Sequence, residues 1–190
     1  MISRCPLFPG EGEGNYKDNM NRKSSIIVII VLAVGFSCLE GLNPGTVYAL
    51  YAYPAAFLAS LFLGSHPVWT LDKEIWIPLI KNSIHVTPSC SAFGFFCLLN
   101  AMVVVHLFYR FNKQKAFLFT ILAAPVVYGI TIVTNGSRII CAYQANEIGK
   151  LLLPSNFQAA LHLGVGITIF LSVLMAAHLW LERAVPYEYK

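Results

Sequence analysis

Long apolar runs free of charge leave this chain few ways to fold. A helix needs about 20 predominantly apolar residues to cross the hydrocarbon core of a bilayer. Stretches close to that length run from Ser25 to about Leu39, Phe93 to Tyr109, Ala116 to Thr134 and Ala159 to Leu181. A further apolar stretch, Val47 to Leu63, is interrupted by Pro54 and rich in Tyr, so it can span, re-enter or lie at the interface. Ile139 to Phe157 carries Gln144, Asn146, Glu147 and Lys150 and reads as an extramembrane or interfacial amphipathic helix. Trp69 and Trp76 suit an interfacial loop, because indole rings favour headgroup depth. The expected fold is all-α: a polytopic integral membrane helix bundle of about five to six membrane helices plus an interfacial helix.

Composition agrees with burial in lipid. Of the 190 residues 57% are hydrophobic and 12% charged, where soluble domains carry roughly 25% charged residues. This length makes one domain, expected over residues 24–190, with the bilayer hiding most of its apolar surface. The polar first 23 residues, with Pro and Gly, read as a disordered tail. Met20, ahead of Asn-Arg-Lys-Ser-Ser and an apolar run, is a possible true start. That run ends at Gly35-Phe36-Ser37-Cys38, a poor lipoprotein-like cleavage site, and an uncleaved anchor is the better reading. A formal charge of +4 is too small and too scattered for a nucleic-acid footprint.

Basic residues set the expected orientation. The connection Arg110-Phe111-Asn112-Lys113-Gln114-Lys115 holds three positive charges and no negative one, and such loops stay in the cytoplasm. The opposite face, which receives Cys90, Arg138 and His162, then looks outward. Asn21-Arg22-Lys23 also favours the cytoplasm, so if Ser25–Leu39 spans, either Val47–Leu63 re-enters or the N-terminus lies outside. Re-entry is the preferred reading.

Three polar signatures share that outward face: Thr87-Pro88-Ser89-Cys90-Ser91, Asn135-Gly136-Ser137-Arg138 and His162-Leu163-Gly164-Val165-Gly166. Ionisable side chains are costly at membrane depth, which makes them functional-site candidates. Pro88 suits the first turn of a helix, and Thr87 or Ser89 can cap it. Cys90 in that first turn meets free amides and the positive end of a helix dipole, which favour a thiolate. Packing among helices is the plainer reading of Cys90 taken alone.

Arg138 would follow a polar turn at the outer end of its helix. Snorkelling is its ordinary explanation, yet an outer arginine runs against the positive-inside tendency. A fixed guanidinium there can hold a carboxylate or stabilise an oxyanion. Cys141, one turn on, is a weaker rival nucleophile. His162 is the expected general acid/base, with His85 in reserve and His66 weaker still. His106 and His178 lie about 24 Å below Cys90 and His162 along their helices. Together they could bind a metal or haem, although interfacial polar packing is the plainer account. No Cys-x-x-Cys pair occurs among the five cysteines. Cys90 and Cys97, seven residues apart, would stand about 10 Å apart on one helix, too far for a disulfide.

The order Cys, then Asn-x-x-Arg, then His-x-x-x-Gly, each beside a span, resembles the exosortase/archaeosortase family. With Tyr51-Ala52-Tyr53-Pro54-Ala55 upstream, it is most similar to the small exosortase K branch, over roughly residues 45–170. The resemblance implies Cys90 as nucleophile, Arg138 as transition-state or substrate-orienting arginine and His162 as proton carrier. Ser89, Ser91, Asn135 and His85 are expected to support or position substrate, with no metal and no cofactor. The family usually follows its cysteine with Ser-Gly or Ala-Gly; this chain has Ser91-Ala92, whose extra methyl would crowd a close helix or substrate backbone.

The implied substrates are secreted proteins with a C-terminal sorting signal comprising a short motif, a transmembrane helix and a basic tail. The implied location is the bacterial cytoplasmic membrane, with the site facing outward. Water as acceptor makes a protease, an amine a transpeptidase. Two other classes fit the hydropathy: a non-catalytic membrane scaffold or transporter subunit, and an electron-transfer bundle using His106 and His178.

Overall fold

The computed structural model describes residues 26, 44–70, 74–80, 82–87, 92–152 and 154–184. The expected tail over 1–23 with its Met20 start, the run Ser25–Leu39 (Ile26 apart), and Cys5, Cys38, Ser89, Cys90 and Ser91 lie outside these residues. Four helices, α1 (Pro44–Phe62), α2 (Phe93–Arg110), α3 (Lys113–Leu152) and α4 (Ser155–Ala184), surround the core. Each contains a window long and apolar enough to cross a membrane: Gly45–Phe62, Phe93–Arg110, Lys113–Leu151 and Ala160–Ala184. The described residues thus supply four candidate spans, short of the five to six expected.

The outer faces explain why a bilayer is needed. Leu163, Ile167, Leu171, Met175 and Leu179 recur every fourth residue along α4, and all are exposed. On α3, Leu118, Leu122 and Val126 do the same. Such a continuous apolar stripe is unusual on a soluble monomer, whereas lipid covers it without penalty.

α1 runs as one helix straight through Pro54. Its length and hydropathy suffice for a span. It packs on α3 through small residues: Ala52, Ala55, Ala56, Ala59 and Ser60 are fully buried. A Cβ at Gly136 of α3 would come within 3.3 Å of the Ala55 carbonyl oxygen. Close backbone approach over small side chains is how helices associate in lipid, where the solvent is as apolar as leucine. Tyr51 packs its ring on Phe93, Phe96 and Tyr128 at centroid distances of 5.3–5.5 Å. The Tyr128 hydroxyl donates to the Leu50 carbonyl at 2.7 Å. Together these contacts tie α1, α2 and α3.

Two features depart from the expected arrangement. Three short strands, β1 (Val68–Trp69), β2 (Ile75–Pro78) and β3 (Ser83–Val86), form an antiparallel sheet in the order β1-β2-β3. Ile75 and Ile77 of β2 point inward and are fully buried, the period-two pattern of a half-buried strand. Tyr48 of α1 pins the sheet: its hydroxyl donates to the Val86 carbonyl and accepts from the Ile75 amide at 3.2 Å. Tyr53 stacks on Trp69 at 5.5 Å.

The second departure is α3. Asn135-Gly136-Ser137-Arg138 forms no turn, and the extramembrane or interfacial helix expected over Ile139–Phe157 is, as far as Leu152, the continuation of α3 and not a separate element. α3 continues unbroken for 40 residues to Leu152, about 60 Å at 1.5 Å per residue. That is twice the hydrocarbon thickness, so its second half projects beyond the apolar slab. There it pairs with the first turns of α4, where a Cβ at Gly149 would sit 2.9 Å from Leu161 Cδ2.

Candidate functional site

Where the sheet meets this projecting hairpin, a cleft of about 690 Å³ opens. Strand β3 and its exit supply Ile84, His85, Val86 and Thr87; α3 supplies Arg138, Ala142, Asn146, Glu147 and Lys150; α4 supplies His162. The expected arginine and both leading histidines therefore share one cavity, and Thr87 lies on its wall. Asn135 does not join them: it is fully buried one turn below Arg138. Cys141 is exposed and lies off the cleft wall, as does His66. Cys97 packs against the main core.

Arg138 is held by α4. Positions 162, 166 and 170 stand one above another on a helix face, and all three serve the site. A Cβ at position 166 would lie 2.6 Å from Arg138 Nε and 3.3 Å from Cζ, so the absent side chain of Gly166 makes the slot in which the arginine lies. One turn further, Arg138 Cζ sits 5.2 Å from the Phe170 ring centroid. That cation–π contact is worth about 0.5–2 kcal/mol depending on desolvation. Phe170 is backed in turn by Phe95 of α2, stacked at 4.5 Å. Among the described residues Arg138 has no carboxylate partner. Its charge is thus fixed in place and open to an anionic or oxyanionic group.

His85 has a partner that sequence reading missed. Its Nε2 lies 2.6 Å from Glu74 Oε2 across the β2–β3 hairpin, and the Trp76 ring packs on the imidazole at 4.8 Å. The signal was present, since Trp76 and His85 face each other in register, but only once the strands are known. The pair is well exposed, at 37% and 40%, so it orients the ring more than it stabilises the fold. At the mouth, Glu147 accepts from Lys150 at 2.6 Å and from Asn82 at 3.3 Å, joining α3 to the hairpin.

Cys90 lies outside the described residues, yet its flanks are informative. The helix expected to open at Thr87–Ser91 begins at Phe93, with Ala92 as its N-cap. Ala92 has φ 56° and ψ 16°, the left-handed region that favours glycine. A glycine at this position would adopt that conformation without the Cβ penalty. For alanine that conformation costs about 1–2 kcal/mol. No family model, no curated protein and no solved structure matches this chain.

Proposed function

We propose that this chain is a membrane-embedded cysteine protease or transpeptidase that cleaves C-terminal sorting signals of secreted proteins through a thioester acyl-enzyme. One observation carries the reading: Arg138 and His162, far apart in sequence, line a single cleft whose wall includes Thr87. Connectivity alone keeps Cys90, three residues on, within about 11 Å of Thr87. Thiolate attack on the scissile carbonyl forms the thioester while the guanidinium stabilises the oxyanion. An imidazole then protonates the departing amine and deprotonates the incoming water or amine.

The substrate's own membrane helix would pack beside the bundle and present its scissile bond at the cleft, making the encounter effectively intramolecular. Arg110, Lys113, Lys115 and Arg183 cluster at the far helix ends, which favours a cytoplasmic far end and an outward site. His85, oriented by Glu74, is the second candidate for the proton carrier because it shares the cavity with His162.

Thiol labelling across pH in the membrane-embedded protein tests this, with the modified cysteine located by mass spectrometry. Selective fast labelling of Cys90, slowed in His162→Ala or in His85→Ala, is expected and identifies the base. If Cys90 reacts no faster than Cys97 or Cys141, and Arg138→Ala, His162→Ala and His85→Ala change nothing, the catalytic reading fails.

A further inference from the structure

At the end of the bundle away from the cleft, α2 and α4 bring two histidines and a carboxylate together. His106, His178 and Glu182 each offer a ligand atom, and these atoms all lie within 4.8 Å of one another. We propose that the three residues form a transition-metal site, best suited to Zn²⁺, that joins the far ends of α2 and α4. The site is separate from the cleft and stands or falls independently of the proposed peptidase activity.

Three features fit coordination better than simple packing. First, Zn²⁺ takes imidazole nitrogen and carboxylate oxygen at about 2.0–2.2 Å in a tetrahedron. The edge of such a tetrahedron is about 3.4 Å, and His178 Nε2 already stands 3.4 Å from Glu182 Oε1. These two residues are i and i+4 on one helix, stacked on a single face. Second, His106 Nδ1 lies 3.0 Å from the Met102 carbonyl oxygen. A carbonyl only accepts, so Nδ1 carries the proton and Nε2 keeps its lone pair. Histidine ligands are set up in this way, the outer hydrogen bond fixing both tautomer and ring direction. Third, His178 and Glu182 are 46% and 52% exposed, which leaves a fourth position for water.

One neighbouring charge bears on the site. Both Arg110 terminal nitrogens donate to the Glu182 main-chain oxygen at 3.2 Å. The guanidinium is thus engaged by the backbone and leaves the carboxylate oxygens available to a metal. Its positive charge weakens dication binding, so the expected affinity falls below that of all-cysteine structural sites. Haem is disfavoured by the same geometry: the two imidazoles meet edge to face at 5.1 Å and 77°, with no space for a porphyrin between them.

The test uses the full chain, purified without a polyhistidine tag and stripped with chelator, in lipid nanodiscs. Titration with Zn²⁺ against a chromophoric chelator should give one ion per chain, and Co²⁺ should give the visible bands of a four-coordinate site. His106→Gln, His178→Gln and Glu182→Gln should each weaken binding by about 10-fold or more, and should remove the Zn²⁺-dependent rise in melting temperature. Unfolded variants are recognised by circular dichroism, and the wild-type Co²⁺ spectrum decides the question without them. A Co²⁺ spectrum no different from that in buffer, or Zn²⁺ affinity unchanged in all three folded variants, overturns the site.

Discussion

Adding one methyl group at Gly166 should move Arg138 and little else. The new Cβ would stand 2.6 Å from Arg138 Nε, about 0.9 Å inside the 3.5 Å at which such atoms ordinarily touch. Nε is in the middle of the side chain, so the guanidinium must shift with it, off the Phe170 face. Overpacking of this kind costs about 1–3 kcal/mol, offset by the gain of about 1 kcal/mol that alanine has over glycine inside a helix. Gly164 isolates that gain: it lies on the same helix, and a Cβ there meets nothing within 4 Å. Equilibrium unfolding in mixed micelles should therefore place Gly166→Ala about 1–3 kcal/mol below Gly164→Ala. In an Arg138→Ala background, where the clash has no partner, the two substitutions should converge. If the arginine acts on the substrate, a displacement near 1 Å should also cost roughly 100-fold in kcat/KM. The reasoning is refuted if Gly166→Ala is as mild as Gly164→Ala, or if its penalty survives the loss of Arg138.

Position 92 should sort substitutions by backbone and not by size. Ala92→Gly should unfold within about 1 kcal/mol of the parent, because relief of left-handed strain is offset by lost methyl burial and a freer unfolded chain. Ala92→Val should lose at least 2 kcal/mol or so, since a β-branched residue tolerates φ near 56° poorly; equal unfolding midpoints for the two would contradict the assignment. Glu74→Gln should leave stability within about 1 kcal/mol, as an exposed pair contributes little. It should slow turnover only if His85 moves the proton, which a pre-steady-state assay beside His162→Gln resolves. Finally, kcat/KM should vary between about pH 5 and 9, because attack needs a deprotonated thiol and proton transfer a suitably protonated imidazole; a flat profile excludes the thiol–imidazole mechanism.

Hydropathy located three of the four candidate spans because length and apolarity alone mark a membrane helix, and it left Val47–Leu63 open because Pro54 and the tyrosines interrupt that pattern. What it missed was decided by contacts between distant residues. Asn135-Gly136 has the composition of a turn, yet it continues a helix because Gly136 lets α3 approach the Ala55 carbonyl closely. The strands of two and four residues were hidden because Trp69 and Trp76 suit an interfacial loop equally well. At the site, the His162-x-x-x-Gly166 spacing was visible, but its purpose was not. That glycine clears space for a side chain on another helix, and no one-dimensional pattern records it. The partnership of Glu74 with His85 likewise depends on strand register. The positive φ at Ala92 lay in the backbone, where an alanine in the sequence gives no sign of it.

The continuity of α3 also has a mechanical side. One rod carries the basic residues Lys113 and Lys115 at its foot, Pro125 partway up, then Arg138, and the Glu147–Lys150 pair near its tip. Proline removes an internal hydrogen bond and is where a helix bends most readily. From Pro125 to Glu147 the arm is about 33 Å long, and from Pro125 to Arg138 about 20 Å. A tilt of about 5° at Pro125 would swing the tip by roughly 3 Å and the arginine by roughly 2 Å. Forces applied within the lipid, such as the packing of another helix against α3, would therefore reach the cleft amplified, widening or narrowing its mouth more than its floor.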